Sequence, residues 1–243
     1  MHRFFSPSEN ISGNKIIITD KAALHHIRDV LRLKQNEPVI VFDDAAKEYD
    51  CSVGKISPEF ILNIKGKRPP LKDQKICLNI ACAIPKKSKL DDIIDKLTQI
   101  GVDRIMPLLT ERVIVKLDKD KEKSRLKRWE KIAKSASEQC ARNSIPVIDL
   151  PQDIKEALRK SAGFDLKLIP TLSGKRKSLK EALADAKPKN IMVFIGPEGD
   201  FTEKEVGLAR EAGFIPVSLG DLVLRVETAA IAVASFIRLN ENR

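Results

Sequence analysis

The residues best placed to do chemistry gather in two short C-terminal segments. One is Ile195-Gly196-Pro197-Glu198-Gly199-Asp200-Phe201, and the other is Leu219-Gly220-Asp221-Leu222-Val223-Leu224-Arg225-Val226-Glu227-Thr228-Ala229. Each follows an apolar run, Ile191 to Ile195 or Ile215 to Leu219, that reads as a buried strand. Each then opens into a helical pattern. Glycine at a strand exit has no Cβ, so the backbone can turn tightly and approach a ligand. Two such loops close in sequence predict one small-molecule bed at the carboxyl ends of neighbouring parallel strands. Taken singly, Gly196 and Gly199 could be tight turns and nothing more. Arg225, Glu227 and Thr228 weigh against that, because packing needs no such residues where a strand gives way to an apolar helix. Neither loop matches the dinucleotide or triphosphate glycine patterns, so those ligands are disfavoured.

The elements that must position these residues come from the rest of the 243-residue chain, long enough for one large domain or two smaller ones. Residues 1 to 70 read as β-rich, with strands expected at Lys15 to Thr19, Pro38 to Phe42, Glu48 to Ile56 and Phe60 to Lys65. A helix is expected from Asp20 to Leu33, with Asp20 as N-cap and Leu24, Ile27, Val30 and Leu31 on one face. A small barrel fits this pattern. Gly66 to Pro70 reads as a linker. From Lys75 strands and helices alternate, which argues for a mostly parallel α/β sheet over residues 75 to 243. Helices are expected over Lys86 to Ile100 and Asp118 to Arg142, and Thr202 with Glu205 reads as a capping box. The last helix, about Glu227 to Asn240, is apolar nearly all round. Such a helix is buried on every side, by its own subunit or by a second one.

The formal charge of +10 predicts a polyanionic partner, since clustered Lys and Arg gain affinity by releasing counterions from phosphates. Ordinary solubilising charge is the alternative. No apolar run reaches membrane-spanning length, and Met1 to Asn10 lacks a secretory layout. The four cysteines form no CxxC pair, which suits a reduced, cytoplasmic chain. No metal is expected, because the three histidines are all N-terminal.

Six motifs, in order along nearly the whole chain, resemble those of the RsmE family, ribosomal RNA small-subunit methyltransferases of the SPOUT superfamily. They are the two glycine loops, His26 to Arg32 (H-x-x-x-V-L-R), Lys96 to Val102 (K-x-T-E-L-G-V), Pro107 to Arg112 (P-x-x-x-E-R) and Glu138 to Asn143 (E-Q-x-x-R-N). The resemblance implies an N-terminal PUA-like β-barrel and a C-terminal SPOUT domain with a parallel sheet and a deep trefoil knot. It implies S-adenosylmethionine as cofactor, a homodimer, and methylation of N3 of a uridine in 16S ribosomal RNA. The cofactor would lie among Ile195, Gly196, Pro197, Glu198, Gly199, Leu219, Gly220, Leu222, Leu224, Thr228 and Ala229, with Pro170, Thr171 and Leu172 as a third wall. Asp200 departs from the pattern, standing where the family usually has a second Gly. Its charge is expected near the cofactor's ribose or amino group. Asp221-Leu222 replaces a frequent Pro-Arg, leaving Arg225 as the cation of that loop.

Methyl transfer from a sulfonium to a uridine nitrogen needs no metal. It needs alignment, and stabilisation of the charge that spreads onto uridine O2 and O4. Arg225 is the first choice for that donor and Arg142 the second, with Glu198 or Glu227 taking the proton or orienting an arginine. Helix capping is the other reading of either Glu. RNA contacts are expected from Arg3, Phe4, Phe5, His26, Arg28 and Arg32, where core packing is the alternative for the phenylalanines. Lys89, Arg112, Arg142 and Asn143 join them by resemblance, and the basic stretch Lys116 to Lys134 is either a further RNA surface or a solvated helix face. Two rivals remain: a SPOUT ribose 2′-O-methyltransferase acting on rRNA or tRNA, and a non-catalytic RNA-binding ribosome-assembly protein. The Leu224 to Thr228 stretch lacks the Ser/Asn-rich motif of the former, and intact loops with Arg225 argue against the latter.

Overall fold

Short Ile-, Val- and Phe-rich runs in the first part of the chain pair into a six-stranded sheet in the computed structural model, which describes residues 1–56, 59–69, 76–85, 89–113, 119–184 and 187–241. Its elements are β1 (His2–Phe5), β2 (Ile11–Ser12), β3 (Lys15–Ile18), α1 (Lys21–His25), β4 (Pro38–Phe42), β5 (Glu48–Lys55) and β6 (Phe60–Lys67). The order is β1-β4-β5-β6-β3-β2, with β1 parallel to β4 and the other pairs antiparallel. Residues alternate across each strand. Ile16, Ile18, Val39, Val41, Val53, Phe60 and Leu62 thereby meet in one core. The expected helix is much shorter than Asp20 to Leu33. Asp20 does cap it, its Oδ1 accepting from the Ala23 N–H at 2.6 Å. Beyond His25 the turn widens over His26–Val30, and Arg32 takes a left-handed φ of 52° that ends it. Val30 is consequently exposed rather than packed. β1 and β2 escaped the pattern because one carries His and Arg and the other is two residues long. Gly66 and Lys67 extend β6 instead of opening a linker, and Pro70 lies outside the described residues.

From Cys77 onward the elements are β7 (Cys77–Ala83), α2 (Lys89–Ile100), β8 (Arg104–Leu109), α3 (Lys119–Gln139), β9 (Val147–Ile148), β10 (Gln152–Asp153), α4 (Ile154–Lys160), β11 (Leu166–Pro170), β12 (Lys177–Ser178), α5 (Leu179–Ala184), β13 (Asn190–Ile195), α6 (Glu203–Glu211), β14 (Ile215–Ser218) and α7 (Val226–Glu241), all in a second unit except the last three residues of α3. Among the described residues the unit's eight strands pair in parallel, in the order β10-β8-β7-β13-β11-β14-β12 with β9 beside β8. Leu90, Ile93, Ile94 and Leu97 bury one face of α2, and Gly101 ends it at φ 97°. Thr202 and Glu205 form the expected capping box. Phe194 and Phe214 pack at 4.4 Å between ring centroids in the core beneath α6. α3 stops at Gln139, short of Arg142, and Ala141 is left-handed at φ 63°. The starts expected at Lys86 and Asp118 fall outside the described residues.

The chain divides into two compact units, and the division is not linear: Ser137–Ile145 groups with Met1–Asp73, and the second unit is Gln74–Ala136 with Pro146–Arg243. One expectation about the site is corrected here. The strands carrying the two glycine loops, β13 and β14, are not neighbours, because β11 lies between them. The exit of β11 at Pro170 to Leu172 therefore sits between the loops.

Candidate cofactor cleft and RNA-facing residues

Three strand exits converge on one cleft in the second unit. Pro170, Thr171 and Leu172 follow β11, Ile195 to Glu198 and Asp200 follow β13, and Leu219, Gly220 and Leu222 to Leu224 follow β14. Val226 and Ala229 close it from the first turns of α7, and Arg176 adds a cation. The lining thus brings together Pro170, Thr171, Leu172, Ile195, Gly196, Pro197, Glu198, Leu219, Gly220, Leu222, Leu224 and Ala229 of the expected set. Gly199 and Thr228 are not part of it. A Cβ on Gly199 would point towards Arg112 Cδ at 3.4 Å, away from the cleft. Thr228 is exposed on α7.

The two loops use their glycines differently. A Cβ on Gly196 would come within 3.0 Å of the Phe201 ring, so glycine there permits close packing of loop on core. Gly220 has φ 112°, a backbone conformation that side chains rarely adopt. Its N–H donates to Ser218 Oγ at 3.2 Å. Leu222 and Val223 leave the loop 80% and 71% exposed, an apolar rim.

Asp200 takes the left-handed backbone that its type tolerates, at φ 63°. Its carboxylate is engaged by protein groups. Oδ2 accepts from Thr171 Oγ1 at 2.9 Å and from the Leu172 N–H at 2.8 Å. Oδ1 accepts from the Phe201 N–H at 2.8 Å. Arg112 donates to the carbonyls of Gly199 and Asp200.

Arg225 precedes α7, and its carbonyl accepts from the Ala229 N–H at 2.8 Å. Its guanidinium is exposed between lining residues Leu224 and Val226, with no side-chain hydrogen bond or ion pair among the described residues. Glu227 is turned elsewhere, pairing with Lys89 Nζ at 3.0 Å. Burial pushes the Glu227 carboxyl up, but its own backbone N–H, Lys89 and Arg225 outweigh burial and hold it below the ordinary carboxylate range. A carboxylate held ionised is a weak proton acceptor, so this environment favours orienting charge over taking a proton. Cys82, fully buried in β7, has its thiol pushed up to about 12 by its own burial and by Glu227's charge nearby, which keeps it protonated. Glu198 is exposed on the lining.

Several residues expected at RNA are spent inside the first unit. The Arg3 side chain is only 7% exposed and forms an ion pair with buried Glu48. It donates to the Arg142 carbonyl at 3.0 Å and lies 5.2 Å from the Phe42 ring centroid. Phe4 belongs to the core, and half-buried Phe5 packs edge-on against Phe42 at 5.5 Å. Asn143 Nδ2 donates to the Ala46 carbonyl, and Arg142 to Ser144 Oγ. Arg142 is half-buried in that unit and is not among the cleft's lining residues. Arg28 donates to the Ile56 carbonyl, whereas His26 and Arg32 are exposed. On α3, Lys123, Lys127 and Lys131 are exposed at one-turn spacing, and Arg128 pairs with Asp91. Lys116 and the side chains of Lys119 and Lys121 lie outside the described residues.

The lining residues missed in the sequence are Arg176 and Val226, while Asp200, expected near the cofactor, does line the cleft. Arg176 left no signal, since only the β12–β14 pairing brings its segment to the cleft. Among the described residues no group of His, Cys, Asp and Glu could hold a metal ion, and no helix is long and apolar enough to cross a membrane.

A family profile described as an RNA methyltransferase domain matches residues 72–238, and one described as an RNA methyltransferase PUA domain matches residues 18–64. Ribosomal RNA small subunit methyltransferase E of Mesomycoplasma hyopneumoniae is 36% identical over 95% of this chain and 96% of its own. The Bacillus subtilis protein of the same name is 29% identical over 96% of this chain and 90% of its own. A crystal structure of the Neisseria gonorrhoeae enzyme of that name, bound to S-adenosyl methionine, superposes with a TM-score of 0.87 at 30% identity, covering 99% of this chain and 98% of the other. Matched from end to end by such relatives, and over most of its length by the methyltransferase profile, the chain belongs to the ribosomal RNA small subunit methyltransferase E family.

Proposed function

We propose that this chain methylates N3 of a uridine in 16S ribosomal RNA, with S-adenosylmethionine held in the three-walled cleft. The observation that carries the reading is the convergence of three strand exits on one cleft with a free guanidinium, Arg225, at its edge. The lining suits that cofactor: Leu219, Leu222, Leu224 and Val226 offer apolar surface, the loop backbones offer hydrogen bonds, and the exposed carboxylate of Glu198 offsets positive charge. When bound there, the cofactor supplies a methyl group on a cationic sulfur. The protein's own work is alignment and charge stabilisation. Arg225 would donate to the uridine oxygens as N3 gives its proton to water or to the exposed Glu198 on the lining, and Glu227, paired with Lys89, would act on the guanidinium only through its field.

The first unit is proposed to be a PUA-like barrel that recognises RNA through exposed His26 and Arg32. The lysines of α3 would give a second phosphate contact, sensitive to salt. The placement of β11 between β13 and β14 supports a knotted SPOUT arrangement of the cleft loops. The test is mass spectrometry of ribosomal RNA from cells lacking the protein. Loss of one 3-methyluridine from 16S RNA, restored by the purified protein with S-adenosylmethionine, supports the reading. Loss of a 2′-O-methyl ribose, or of no modification, overturns it.

The functional form is proposed to be a homodimer built on α7. Thr228, Ala232, Phe236 and Leu239 lie along one exposed side of that helix, with Phe236 38% and Leu239 73% exposed. Burying them in water-excluding contact is worth about 25 cal/mol per Å². Light scattering is expected to give twice the 27.2 kDa chain mass at micromolar concentration, and Leu239→Glu to shift the species towards monomer. A monomeric wild type would end the dimer reading.

A further inference from the structure

We infer that Asp200 is a latch that holds the cleft ready for its cofactor, a positioning role resting on the function proposed above. The first loop, Gly196 to Asp200, and the wall Thr171-Leu172 follow different strands, β13 and β11. Strand pairing between these two ends at Leu168 opposite Val193, so the ladder does not fix their exits against each other. Asp200 does. Its Oδ2 takes one hydrogen bond from the Thr171 hydroxyl and one from the Leu172 backbone, and its Oδ1 takes one from Phe201. Thr171 is buried and Asp200 itself lines the cleft, so the link runs along the floor that a ligand would touch. Arg112 grips the same loop through the Gly199 and Asp200 carbonyls. The loop is thus held by both its side chain and its backbone.

A wall that drifts is binding-competent only part of the time, and apparent affinity falls by that fraction. Once ligand is bound, the walls are held and turnover is unaffected. Two variants separate this from folding. Asp200→Gly removes the latch while relieving the positive φ. Asp200→Asn keeps the shape, but its amide NH2 must face either the Leu172 or the Phe201 N–H. Charge-assisted bonds of this kind predict that each variant weakens S-adenosylmethionine binding about tenfold by calorimetry. KM for the cofactor should rise by the same factor, with kcat at saturating cofactor and the ligand-free melting temperature near wild type. Wild-type affinity in both folded variants overturns the inference. So does a fall in kcat with KM unchanged, or a drop in ligand-free melting temperature that tracks the affinity in both. If wild-type protein fails to bind S-adenosylmethionine at all, the proposed function fails, and that result appears before any substitution is made.

Discussion

Arg225→Ala is expected to lower methyl transfer by roughly a hundredfold or more, the usual cost of removing one donor from a developing anion. Fold and cofactor affinity should stay near wild type. The guanidinium is exposed and unpaired among the described residues, so nothing in the protein depends on it for packing. A structural role for Arg225 would need an ion pair with a neighbour such as Glu227, but Glu227 is taken by Lys89. Arg225 acts on Glu227 only through its field, as one of the charges that keep it ionised. Single-turnover methylation, cofactor titration and a thermal melt on this variant decide the matter. Equal losses in stability, binding and activity would make Arg225 structural.

Glu48→Ala is expected to be the most destabilising single change in the first unit, by about 3–5 kcal/mol. Removing one partner of a buried pair strands the other charge. Arg3 would then keep only the Arg142 carbonyl and the Phe42 ring as compensation. The double variant Glu48→Ala with Arg3→Met should recover much of the loss, because no unpaired charge remains in the interior. Urea unfolding followed by Tyr49, which lies in the same core, reports on this unit. A midpoint unchanged by Glu48→Ala would show that the pair is not buried in solution.

How much of this was legible in the sequence depends on what kind of signal each element leaves. Apolar periodicity located β4, β13 and α7 nearly to the residue, because burial on one or all faces writes itself into residue type. The capping box at Thr202 was equally plain, since it is chemistry between residues three apart. Strand order left no such trace. Nothing in Ile191 to Leu219 says that β11 lies between the two loops, because order is decided by crossovers that residue type does not record. Arg3 shows the converse error. A cation beside two aromatics suggests base stacking, yet its partner Glu48 is on another strand, and their meeting is set by the β1–β4–β5 ladder. The charge is real, but it is consumed internally. The site was readable where backbone shape is the function, at Gly196 and Gly220, and unreadable where a distant segment contributes, at Arg176.

The return of Ser137–Ile145 to the first unit bears on how the protein is made. Glu138 Oε1 receives the Phe5 N–H at 3.0 Å, the Arg142 carbonyl receives Arg3, and Asn143 donates to Ala46. Chains usually fold domain by domain as they emerge from the ribosome, the N-terminal part first. Here the N-terminal unit stays unfinished, with its Arg3 anchor incomplete, until residue 145 has left the exit tunnel. By then β7, α2 and β8 have already been synthesised. The two units must therefore mature together. A nascent chain halted at residue 73 should be open to protease, and one halted beyond residue 145 should be closed.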